Sequence, residues 1–266
     1  MKKPLALFVV IWILFFAIPA WAGCKEDVCK RDPIQLAMSP ALLGIAGAGG
    51  AAACGASLFE DAFASNDYSA WTGEVDTGSL LTAASGASVF THTAKTAGYS
   101  TKTLASAVTE SWVQFDIAFS DNAMGGNGTY MQIILFRDGG DNSAAWVEMI
   151  NNTAGTLTNL ALKFVNDAAG TVLVGTYALS PASGTTYTLK LHSKASSDAD
   201  TDNGELTLYT CSAGSCTSRI TSSTLDYYAR ADLYIVRLGN AASTFSDTSG
   251  KTITWDNFEW RSDDCF

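Results

Sequence analysis

The chain has 266 residues, of which 47% are hydrophobic, 11% aromatic and only 16% charged. Its 16 basic and 26 acidic residues leave a net charge of −10, which argues against nucleic acid or an anionic membrane as partner. That length suits one large domain behind a short leader better than two full domains.

Residues 1–22 read as a secretory signal peptide. Lys2 and Lys3 form the basic start, Leu5 to Ile18 the apolar stretch, and Ala20-Trp21-Ala22 the small-x-small cleavage site. The apolar stretch is short for a membrane span. The expectation is export by a bacterium, to the periplasm, the outer surface or the medium. Trp21-Ala22-Gly23-Cys24 also resembles a lipoprotein processing box, with Trp21 where an aliphatic residue is usual. Residues 23–55 are expected to be a disulfide loop followed by an Ala/Gly-rich linker that carries no charge from Pro33 to Gly55. Membrane contact enters only through a lipid on Cys24 or through this segment, where Pro40 and the glycines oppose a stable helix.

Six cysteines in an exported chain predict disulfides. Cys211 and Cys216 enclose a short hairpin tip, and Cys24 and Cys29 enclose another local loop. Cys54 and Cys265 remain, one before the first expected strand and one after the last, and they pair if those strands are neighbours.

From residue 56 to 266 the pattern is strand after strand. Ser57–Phe63 opens it. In Ser111–Ser120, Val113, Phe115, Ile117 and Phe119 alternate with Trp112, Gln114 and Asp116, as in a half-buried strand. Tyr130–Arg137 is apolar on both faces, as a central strand is. Further strands are expected at 145–151, 160–166, 171–177, 186–192, 205–211, 218–224 and 233–238, and Lys251–Arg261 closes the series. The Ser/Thr/Gly-rich portion from Thr72 to Thr103 is the least regular. Asp198–Glu205 carries acids at calcium-loop spacing, but Asn203 stands at the required glycine and Tyr209 at the required glutamate, so an acidic hairpin turn with Asn203-Gly204 at its tip is expected. The fold class is all-β, a two-sheet antiparallel jelly-roll sandwich.

Three pieces resemble the concanavalin A-like (laminin-G/glucanase) jelly-roll superfamily: Leu58–Phe63 with Trp71, the run of strands from Leu160 to Tyr209, and the closing Ile253-Thr-Trp-Asp-Asn-Phe258. The resemblance implies a calcium ion where first and last strands meet, with Asp256 as ligand and Glu60 or Asp61 nearby. It also implies a glycan on the concave sheet and rim loops, where rings stack on sugar faces. Trp112, Tyr130, Gln132, Trp146 and Glu148 are the candidates.

The acid patterns of the superfamily's enzymes are incomplete here. Glu74-Val-Asp76 starts the glucanase Glu-x-Asp-x-x-Glu, but Ser79 stands at the second glutamate. Gln132-Ile-Ile134 lacks the histidine of the alginate-lyase Gln-x-His strand. His92 and His192 stand alone, beside no nucleophile signature and no zinc-like spacing. The reading that follows is a secreted or surface-tethered module, without catalytic residues, that binds a glycan or another cell-surface polymer. The alternatives are a glycoside hydrolase or polysaccharide lyase with a non-standard catalytic pair, and a structural or adhesive envelope protein.

Overall fold

The computed structural model describes residues 54–93, 96–123, 130–152, 154–230, 232–241 and 250–266. The expected signal peptide, the Cys24 and Cys29 loop and the linker up to residue 53 lie outside the described residues.

Fifteen strands make up the regular structure of the described residues. The first eight are β1 (Phe59–Asp61), β2 (Gly73–Asp76), β3 (Leu81–Ala84), β4 (Ala87–Thr91), β5 (Gly98–Val108), β6 (Glu110–Phe119), β7 (Tyr130–Asp138) and β8 (Ser143–Asn151). The rest are β9 (Leu157–Val165), β10 (Thr171–Ala178), β11 (Thr186–Lys194), β12 (Gly204–Ser212), β13 (Ser215–Leu225), β14 (Leu233–Asn240) and β15 (Thr252–Arg261). They form two antiparallel sheets. One has eight strands in the order β13-β12-β11-β6-β15-β4-β3, with β1 also paired to β15; the other has seven in the order β10-β9-β8-β7-β14-β5-β2. Among the described residues no helix is long and apolar enough to cross a membrane.

The inner faces of the two sheets pack into one core. Val113, Phe115, Ile117 and Phe119 of β6 are each at most 1% exposed, as their alternation requires. Across the sandwich, Phe136 of β7 meets Trp260 of β15 with ring centroids 5.9 Å apart. At the β1 end, Phe59, Trp71 and Phe258 form an aromatic cluster, with Phe59 and Trp71 edge-on at 4.9 Å and Trp71 and Phe258 at 5.2 Å.

β15 holds this arrangement. One of its edges pairs with β6 from Ile253 to Arg261. The other pairs first with β4, through Thr252–Trp255, and then with β1, through Phe258–Trp260. Between the two partners the register shifts at Asp256 and Asn257, and Asn257 takes φ 48°. This is a β-bulge, and asparagine is among the few residues that accept the left-handed conformation it needs. The extra residue flips the alternation: Ile253 and Trp255 point inward before it, Phe258 and Trp260 after it, and all four are buried.

The expected hairpin tip at Asn203-Gly204 is corrected by the structure. Gly204 opens β12, and the turn is made earlier, where Asp198 accepts hydrogen bonds from the Asp200 N–H and the Thr201 hydroxyl. The region from Thr72 to Thr103 holds four strands, or parts of them, with β2 and β3 at the sheet edges, where weak alternation suffices.

Two disulfides close the described residues, Cys54–Cys265 and Cys211–Cys216. The first joins positions 211 apart and the second positions 5 apart. Loss of the long link through Cys265→Ser is expected to cost about 2–5 kcal/mol, and loss of the short one through Cys211→Ser clearly less, because the longer loop gains more entropy on release. Urea unfolding of both variants checks this, and equal losses would show that loop length does not control the effect.

Candidate functional site

The seven-stranded sheet carries a second group of buried side chains on its outer face. Tyr99, Leu135, Trp146 and Ala161 are each at most 9% exposed, yet none belongs to the core cluster between the sheets. Backbone register explains the grouping. Lys163 of β9 lies opposite Trp146 of β8, Trp146 opposite Leu135 of β7, and Leu135 opposite Arg237 of β14. In the neighbouring row Ala161 faces Glu148, Glu148 faces Gln132, and Gly239 faces Tyr99 of β5. These side chains are shielded from solvent although they lie on an outer face.

Polar chemistry is concentrated in two places along it. Glu148 is 2% exposed; its carboxylate is ion-paired with the Lys163 ammonium and accepts the Trp146 indole N–H at 3.0 Å. A buried carboxylate persists only with such partners. Lys163 keeps 24% of its side chain exposed, so it is the accessible member of the pair. At the β7–β8 turn, Asp141 is bound by both Arg137 Nε, at 2.8 Å, and Arg237 Nη2, at 2.9 and 3.0 Å. The Arg237 guanidinium also lies 4.6 Å above the Tyr99 ring, a cation–π contact. Burial, with the neighbouring Arg237 charge, lowers the Arg137 pKa from its ordinary value. Adjacent strands are about 4.8 Å apart, so Lys163 and Arg237 stand about 14 Å apart across the sheet.

The expected ligand set is thus divided. Gln132, Trp146 and Glu148 come together on this face. Tyr130 opens β7 opposite Ile150, at the end of the same pair of strands. Trp112 does not join them, because β6 belongs to the other sheet. There it stacks on His192 at 3.8 Å, and Lys190, ion-paired with Asp264, lies 4.9 Å from its ring. Burial pushes His192 down from its ordinary pKa against the opposing pull of Glu110, and holds Lys190 down to about 8. Lys163, Arg137, Arg237, Tyr99 and Asp141 went unnoticed in the sequence reading. The available signal was a single cation in each of three otherwise apolar strands, Leu-Ala-Leu-Lys163, Ile-Ile-Leu-Phe-Arg137 and Tyr-Ile-Val-Arg237.

The residues expected to hold calcium each make contacts within the protein. Asp61 accepts the Phe63 N–H on one oxygen and the Trp71 indole N–H on the other, both at 2.7 Å, which makes it an anchor of the aromatic cluster. Glu60 lies opposite Glu259 in the β1–β15 pair. Asp256 lies opposite Asp116, whose oxygens accept from Thr188 and Asn257. Among the described residues no group of three or more His, Cys, Asp or Glu is placed to hold a metal ion.

No protein-family model matches the chain, and no curated protein matches it in sequence. Solved structures do match in fold. The alginate lyase Aly36B, as a lysine and methionine double mutant with alginate trisaccharide, superposes with TM-score 0.54 at 14% identity, over 72% of this chain and 87% of that one. The endo-β-1,4-glucuronan lyase of the fungus Trichoderma reesei gives 0.53 at 12% identity, over 78% and 96%. The CBM2 module of the evolved Dit of Lactobacillus casei BL23 phage J-1 gives 0.51 at 14%, over 77% and 94%. The fold is therefore a two-sheet antiparallel sandwich related to jelly-roll carbohydrate-binding modules and polysaccharide lyases.

Asp256 supplies a test of the charge balance at the bulge. Burial, and then the Asp116 and Asp61 charges, raise its pKa, so the folded state favours its protonated form. A raised carboxylate contributes stability in acid and loses it as pH rises through the folded pKa. Asp256→Asn is therefore expected to raise the melting temperature at pH 7, with the gain fading toward pH 4. A gain that is unchanged in acid would contradict this cause. A variant less stable than the parent only when calcium is present would instead mark Asp256 as a calcium ligand.

Proposed function

We propose that the outer face of the seven-stranded sheet binds an acidic polysaccharide and that the protein is a polysaccharide lyase acting on uronate units. The observation that carries this reading is the concentration of Lys163, Arg137 and Arg237 on one face of a chain whose net charge is −10. Glu148 and Asp141 hold these cations in place. Such preorganised charge suits a polymer with one carboxylate per sugar.

The elimination needs two functions. The first is neutralisation of the uronate carboxylate, so that the proton on the adjacent carbon can leave. Arg237 and Arg137 stand about 14 Å from Lys163 across the sheet, so they are placed to hold the carboxylate of a different sugar of the same polymer, and no residue is assigned to the carboxylate of the reacting one. The second is proton handling. As the proton departs, its electron pair forms the carbon–carbon double bond, the bond to the glycosidic oxygen breaks, and that oxygen takes up a proton. The Lys163 amine, when the proton it shares with Glu148 rests on that carboxylate, accepts the departing proton and as ammonium returns it to the glycosidic oxygen, with Glu148 as its positioning residue. The lyases among similar folds support the reading, although identities of 12–14% extend to the fold alone. A non-catalytic binding module is the second reading, supported by the likeness to the phage CBM2 module. Membership of the concanavalin A-like superfamily belongs to the same proposal and rests on the β1–β15 meeting and the Ile253–Phe258 strand. So does bacterial export.

Alginate, polyglucuronate and polygalacturonate are the substrates to try, with unsaturated uronate ends as the product measured. Lys163→Ala is expected to lower the rate about 100- to 10,000-fold. Arg237→Ala is expected to weaken both rate and affinity. Thermal melting of each variant verifies folding, and Lys163→Ala/Glu148→Gln removes the buried charge that Lys163→Ala strands. Binding without unsaturated ends would establish the module reading, and neither binding nor products on any of the three would overturn the proposal.

A further inference from the structure

At one end of the sandwich the β5–β6 corner, the end of β11 and the connection from β13 to β14 lie together. A depression of about 430 Å³ opens there, lined by Glu110, Lys194, Ser197, Tyr228 and Asp232 among others. No residue of the cationic face lines it.

Its frame is held by backbone hydrogen bonds. The Ala195 N–H donates to the Thr109 carbonyl at 2.7 Å, and the Ser196 N–H to that of Tyr227 at 2.8 Å. Asp167 accepts from the N–H groups of both Tyr228 and Ala229, at 2.8 and 2.7 Å. Asn203 accepts from the Ser197 N–H at 2.8 Å. Two consecutive tyrosines then behave in opposite ways. Tyr227 is fully buried, packs edge-on against Phe164 and anchors the segment. Tyr228 keeps 48% of its surface in water. An aromatic ring exposed on a fixed backbone loses little freedom on binding, so it is a preorganised platform.

The charges around the ring differ from those of the proposed catalytic face. Lys194 is paired with Glu205 at 2.9 Å, which leaves Glu110 and Asp232 to set the sign of the depression. Glu110 receives His192 at 3.0 Å and is still 45% exposed. Carboxylates beside an aromatic platform accept sugar hydroxyls while the ring covers the C–H face of a pyranose. The same carboxylates repel a uronate.

We propose that this depression is a second binding site, for a neutral pyranose, separate from the face that takes an acidic polymer. It depends on none of the residues of that face, so either reading can fail without the other.

The test is titration of the ¹⁵N-labelled chain with cellotriose, xylotriose and mannotriose, and separately with trimannuronate. At least one neutral trisaccharide is expected to shift the Ser197, Tyr228 and Ala229 amides saturably. Tyr228→Ala and Glu110→Gln are each expected to weaken that binding about tenfold, Tyr228→Phe to retain it, and Lys163→Ala to leave it unchanged. A dispersed spectrum verifies that each variant is folded; if Tyr228→Ala is not, Glu110→Gln decides. The proposal is overturned if none of the neutral trisaccharides shifts these amides, if the deciding variant binds as the parent does, or if trimannuronate shifts them at lower concentration.

Discussion

One strand makes two pairings on a single edge, and the remaining architecture depends on it. β15 accepts β4 and then β1 on one side while β6 runs along the other. That sequence of partners requires a one-residue slip, and Asn257 supplies it at φ 48°. Without the bulge, unbroken alternation would put Phe258 and Trp260 on the face opposite Ile253 and Trp255. The aromatic cluster with Phe59 and Trp71 would then lose its centre. The Cys54–Cys265 bridge lies just outside the same junction, where chain start and chain end of the sandwich are brought together.

With both inner faces spent on the core, the two outer faces are left for chemistry, and they differ. On the eight-stranded sheet, Trp112, His192 and Lys190 engage one another, and Asp264 and the Phe266 ring complete the contacts of Lys190. That face is closed by its own residues. On the seven-stranded sheet the cations are held by acids, and Lys163 keeps 24% of its side chain exposed against 16% for Arg137 and 14% for Arg237. A carboxylate such as Glu148 is tolerated at 2% exposure because Lys163 and the Trp146 N–H satisfy it together. The cost of desolvating the pair is met within the fold itself, so these charges are already oriented.

Asp61 and Asp256 show how one acid-rich junction separates into different roles. Asp61 is used up by two hydrogen bonds that fix Phe63 and Trp71. Asp256 is raised by burial and by acidic neighbours. Both enter as calcium ligands through the family resemblance, and their contacts within the protein differ.

The all-β class, most strand positions, the pairing of first and last strands and the two described disulfides were legible in the sequence, because each rests on a local period or on which residues flank it. Trp146, Gln132 and Glu148 could also be singled out, as polar or aromatic residues in apolar strands. What stayed hidden depended on neighbours distant in the chain. Trp112 and Trp146 look alike in sequence, yet strand order places them on different sheets. Lys163, Arg137 and Arg237 are single cations scattered over three strands, and only the register β9-β8-β7-β14 brings them to one face. Alternation tells which side of its own strand a residue occupies; which strand lies beside it is decided by the packing of the whole sandwich.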